Sequence, residues 1–174
     1  MNNVNEYRAI IERFAHERIN QRVSNGMAVH AAVLLETMFK HAAAEMRIYT
    51  GELHQDVFGQ SGIVDAAKGF LSKPYARLRI LIQKEHDLAW VHDHPLIRAA
   101  NGMAAPHGDV EVRFASGVYA SDKANHFAVM DNDGYRFELQ HENCQAVANF
   151  NEPRVAKNLL NVFDQAFELG IAPK

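Results

Sequence analysis

The chain has 174 residues, 48% hydrophobic and 22% charged, with 18 basic against 21 acidic side chains and a formal charge of −3. That reads as a single domain with enough chain to bury a core. Ten glycines, five prolines and one cysteine exclude a collagen-like, low-complexity or disulfide-stapled chain. Cys144 has no second thiol to pair with, which fits a reducing compartment, and the cytoplasm is the expected location. No stretch reaches the roughly 18 apolar residues of a membrane span, and Met1-Asn2-Asn3-Val4-Asn5 is no signal peptide, so no membrane association is expected. A pI near 6.3 gives nucleic acid no electrostatic support as a partner, although a local basic face stays possible.

Tyr7, Ile10, Ile11 and Phe14 recur at helical spacing among charges, which predicts an amphipathic helix from Asn5 to about Arg22. Ser24 and Asn25 are candidate caps of a second helix, whose stripe of Met27, Ala31, Leu34, Leu35, Met38 and Ala42 should be largely buried. His30 and His41 flank that stripe and read as packed side chains. Residues 45–50 alternate as a strand, a helix spans 62–72, and residues 77–83 form the most apolar strand, covered on both faces. A helical turn at 96–100 precedes a strand over 109–114. Residues 126–130 and 135–139 form a hairpin around Asp131-Asn132-Asp133-Gly134, where the Asp-Gly pair is expected to supply positive φ. Asn151 should cap a last helix, with Pro153 in its first turn and Val155, Leu159, Val162, Phe163 and Ala166 on one face. The expected fold is α/β: a mixed sheet flanked by helices, with a helical N-terminal extension over residues 1–45, an α/β core over 46–174 and a C-terminal helix.

Chemistry is sparsely signalled. No Gly-x-Gly-x-x-Gly, Gly-x-x-x-x-Gly-Lys or Gly-x-Ser-x-Gly occurs, and Cys144 lies among polar residues, so nucleotide cradles and Ser or Cys nucleophiles are disfavoured and no cofactor is implied. His92-Asp93-His94 would place two imidazoles on one side of an extended segment, making them the candidate metal ligands. Two ligands are not a site, and Pro95 directly after suggests a polar loop.

The order of elements over about residues 28–168, with Arg47-Ile48-Tyr49-Thr50-Gly51, Arg79-Ile80-Leu81-Ile82 and the hairpin from His126, resembles one half of the phospholipase D-like superfamily. In that family each half carries His-x-Lys-x-x-x-x-Asp, then Gly-Ser and an Asn. Two halves bring two histidines to one phosphodiester; one attacks phosphorus, the other protonates the leaving oxygen, and lysines hold the charge. Aligning Asp131 with the motif Asp puts Ala124 at the nucleophile and His126 at the Lys, with Glu138-Leu139 at the Gly-Ser. Aligning His126 as the nucleophile keeps Asp133 but puts Ala128 at the Lys. Either register loses an essential group.

The resemblance therefore implies a phospholipase D-like half with a degenerate motif, acting as a non-catalytic binding or regulatory module in a bacterial cytoplasmic system. A single half implies a homodimer, and the charged N-terminal helix offers a surface for a protein partner. The alternative is a phosphodiesterase or nuclease in which His126, helped by His141 or Glu138, works at a dimer interface.

Overall fold

A computed structural model describes residues 3–104, 108–121, 125–140 and 145–174. Among the described residues, seven α-helices surround one seven-stranded sheet: α1 Val4–His16, β1 Val23–Asn25, α2 Ala28–His41, β2 Glu45–Thr50, α3 Gln55–Phe58, α4 Ser61–Leu71, β3 Ala76–Ile82, α5 Leu88–Asp93, α6 Pro95–Ala104, β4 Gly108–Phe114, β5 Phe127–Met130, β6 Gly134–Gln140, β7 Gln145–Asn149 and α7 Pro153–Glu168. The strand order is β1-β7-β6-β5-β2-β3-β4. β2, β3 and β4 run parallel, and β5, β6, β7 and β1 continue antiparallel, so the sheet is mixed as expected. Among the described residues no helix is long and apolar enough to cross a membrane.

Strand alternation sorts the core into two layers. Met46, Ile48, Leu78, Ile80, Ile82, Ala128 and Met130 face α1, α2, α4 and α6. Tyr49, Leu81, Phe127 and Val129 face α7. Ile80, Leu81 and Ile82 are all fully buried, which is what a central strand covered on both sides requires. α1 lays Tyr7, Ile11, Phe14 and Ala15 inward, Glu36 of α2 pairs with Arg8 at 2.8 Å, and Glu12 pairs with His41 at 3.0 Å. The apolar stripe of α1 is therefore used inside the molecule, and its outer face is polar.

Several local expectations are corrected. α1 stops at His16, because Arg18 turns to a φ of +54° and breaks the helix. Ser24 and Asn25 lie in edge strand β1 instead of capping α2, so residues 1–45 are not purely helical. α2 starts from Met27 without a side-chain cap. In the hairpin, the positive φ falls at Asp131, +50°, and not at Gly134. Gly134 is instead a close approach, since a Cβ there would lie 2.7 Å from Met130 Cε. Asn151 does not cap α7; its amide donates to the Arg18 carbonyl at 2.8 Å, and Glu152 takes the cap position. The buried face of α7 is Ala156, Leu160, Phe163, Ala166 and Phe167, which leaves Val162 outward.

Candidate functional site

The site lies where β2 and β3 end and β5 begins. The parallel pairing of β2 with β3 runs one step past the strands, with the Gln83 N–H donating to Thr50 O at 2.9 Å and the Lys84 N–H to Gly51 O at 3.0 Å. β5 flanks β2 on its other side, with Tyr49 opposite Phe127, so His126 arrives beside the end of β2. β2 thus separates His126 from Gln83, and only a residue without a side chain lets them meet. Gly51 is that residue: a Cβ there would lie 2.9 Å from His126 Cε1 and 3.2 Å from Nε2. Across this gap His126 Nε2 sits 2.8 Å from Gln83 Oε1.

The other ring nitrogen faces β6. Phe127 pairs with Phe137, the Glu138 N–H donates to His126 O at 2.9 Å, and Nδ1 lies 3.1 Å from Glu138 Oε2. Arg136, two residues along β6 and only 3% exposed, donates to Glu138 Oε1 at 2.7 Å. Burial pushes the Glu138 carboxyl upward, but the hydrogen bonds and charges of His126 and Arg136 outweigh it and hold it at about 2. Glu138 is therefore a carboxylate at any physiological pH.

His126 opens on a cavity of about 460 Å³ lined by Gly51, Glu52, His54, Gln83, Lys84 and Ala120. Lys84 donates to Glu52, and that bond lowers the Glu52 carboxyl. Ala120 is placed by Tyr49, whose hydroxyl donates to Tyr119 O at 2.5 Å. Burial raises the Tyr49 hydroxyl above its ordinary value, so it stays a donor. Each cation of the site, Lys84 and Arg136, sits on a carboxylate.

Of the sequence candidates, the structure brings His126 and Glu138 together; His141 lies outside the described residues. His92 and His94 do not share a face. Asp87 accepts the Trp90 N–H at 2.8 Å and starts a helical turn, α5, where an extended segment was expected. His92 is exposed on it, whereas His94 is fully buried with Nε2 2.9 Å from Leu53 O. Among the described residues no group of three or more His, Cys, Asp or Glu is placed to hold a metal. Gln83, Arg136 and Gly51 carried no chemical signature in the sequence. Asp131 builds the frame: its carboxylate accepts the N–H groups of Ala43, Ala44 and Glu45 at 2.8, 2.8 and 3.0 Å.

Residues 27–173 match the model of a family described as a domain of unknown function, DUF7931. Nuc, a phospholipase D family member from Salmonella typhimurium, superposes with a TM-score of 0.57 at 16% identity, over 90% of this chain and 98% of Nuc. NucT from Helicobacter pylori gives 0.57 at 10% identity, over 88% of this chain and 99% of NucT. TrmBL2, an archaeal chromatin protein whose structure shows a novel mode of DNA binding, gives 0.58 at 13% identity, over 97% of this chain and 61% of TrmBL2. At such identities the likeness is one of fold, and the fold is phospholipase D-like. No curated protein matches the chain in sequence.

Proposed function

We propose that this chain, which belongs to the DUF7931 family, is a phospholipase D-like binding or regulatory module without phosphodiester chemistry. The observation that carries the reading is the double engagement of His126, by Glu138 at Nδ1 and by Gln83 at Nε2. A nucleophilic imidazole needs a lone pair aimed at phosphorus. Whichever way the Gln83 amide is turned, the Nε2 position is taken, either as a donor or as an acceptor.

Electrostatics supports the same reading. Stabilising an attacked diester takes cationic charge that is aimed at the developing oxyanion. Here Arg136 is held by Glu138 and Lys84 by Glu52, so the site presents balanced charge, and the ionised Glu138 stands beside the histidine. In the register that aligns Asp131 with the motif Asp, His126 falls at the family's Lys position and Ala124 at its nucleophile. The module acts in the bacterial cytoplasm as a homodimer, the second copy supplying the other half that the fold ordinarily pairs with.

The alternative, a phosphodiesterase or nuclease, is favoured by one feature: His126, paired with Glu138, opens on a cavity that has room for a substrate group. Chelator-treated, untagged protein should turn over neither bis-aryl phosphodiesters nor single-stranded DNA. Metal-independent turnover that disappears in a folded His126→Ala variant would reverse the assignment.

A further inference from the structure

A second cavity lies on the other side of β6 from His126. At about 620 Å³ it is larger than the histidine pocket, and it is lined mainly by apolar groups of α1, β1, β7 and the start of α2, among them Ile10, Val23, Met27 and Ala146, with Leu139 from β6. Met27 and Leu139 stand 42% and 59% exposed at its rim. Large apolar pockets with a few convergent polar groups are the usual form of a small-molecule site.

Two polar side chains in its wall each carry a buried polar atom that no described residue satisfies. Tyr7 and His30 are each only 6% exposed and stack with ring centroids 4.2 Å apart. Among the described residues, neither Tyr7 Oη nor His30 Nε2 has a hydrogen-bond partner. Buried polar atoms are nearly always satisfied, and two adjacent orphans beside one cavity point to a ligand that satisfies them. Burial pushes the Tyr7 hydroxyl up to about 12 and keeps it a donor, and burial lowers His30.

The third feature is α2 itself. This 14-residue helix begins at the cavity, with Gly26 and Met27 in the lining, no side-chain cap and no acidic residue in its first turn. Its positive end thus has no cap or first-turn acid of its own, and a helix start of this kind favours an anionic group.

We infer that this cavity binds an apolar monocarboxylate, with the carboxylate at the start of α2 within reach of Tyr7 and His30, and the hydrocarbon against Ile10, Val23, Met27 and Leu139. The site is separate from His126, so its occupancy is independent of whether that histidine is catalytic.

The test titrates isotopically labelled full-length protein with sodium decanoate, 4-phenylbutyrate and decanol, following the backbone amides of Val29 and His30. Saturable shifts with at least one acid are expected, with decanol binding about tenfold or more weaker, the loss that follows removal of a charge-assisted hydrogen bond. Whichever acid binds tighter tells an aliphatic from an aromatic ligand. Tyr7→Phe removes one orphan hydroxyl and keeps the ring, so the variant should fold and bind the acid about tenfold more weakly. His30→Leu should lower affinity further. No shift with either acid, decanol binding as well as decanoate, or unchanged affinity in folded Tyr7→Phe would each overturn the inference.

Discussion

Asp131 Oδ1 accepts the N–H of Ala44 at 2.8 Å, tying the turn of the β5–β6 hairpin to the joint between α2 and β2. The same carboxylate takes the N–H groups of Ala43 and Glu45, and the residue holds a φ of +50° to reach all three. Asp tolerates that left-handed backbone better than most residues. Asp131→Ala should lower unfolding free energy in urea by about 2–4 kcal/mol, since three charge-assisted bonds are lost at once. Asp131→Asn, which keeps an acceptor and the backbone preference, should lose less.

Glu138 contributes to the acid sensitivity of the fold. Its carboxyl is held at about 2 in the folded protein against an ordinary value of 4.5. Because the folded value is the lower one, the stabilisation is complete above about 4.5 and is lost as pH falls toward 2; it amounts to on the order of 3 kcal/mol. Glu138→Gln should flatten the fall of stability over that pH range. At pH 7 it should cost about 3–5 kcal/mol, because Arg136 is left buried without its counter-charge.

The buried histidines act in a higher pH range. Burial lowers His94 below 6.5, with the Leu53 carbonyl opposing, and burial also lowers His30. The unfolded chain therefore takes up these protons first, so stability is complete above about 6.5 and declines as pH falls below it. Melting temperature measured from pH 7.5 down to 5.5 should drop, and His94→Gln, which can still donate to Leu53 O, should show a shallower drop.

Gly51 is the gap through which His126 reaches Gln83. Gly51→Ala places a Cβ 2.9 Å from the ring, and the ring has no flexible end to yield. The variant should lose about 1–3 kcal/mol through displacement of the histidine, as overpacked sites do. In proton spectra the His126 ring resonances should move, while a surface change such as Tyr75→Ser should leave them in place.

Much of the fold was legible because its strongest elements repeat cleanly. β2, β3, β4 and the hairpin alternate or run apolar, and α2 shows an unbroken 3.6-residue stripe. β7 was hidden because its inward residues are Ala146 and Ala148, small side chains with weak strand preference. β1 is three residues long and α5 six, too short for periodicity to register. The histidine and glutamate of the site were visible because they face each other across a hairpin. Gln83 was not, because its approach to His126 depends on β2 lying between β3 and β5 and on a missing side chain at position 51. Arg136 lies in an alternating strand with nothing in the sequence to mark it, whereas the fold buries it to balance Glu138.

The placement of β2 between a parallel neighbour and an antiparallel one has a consequence for synthesis. Its parallel partner emerges about thirty residues later, but its antiparallel partner β5 follows only after some eighty. Until Phe127 to Met130 leave the ribosome, one flank of β2 stays bare, and a nascent chain halted before then carries an unpaired, apolar edge open to mispairing.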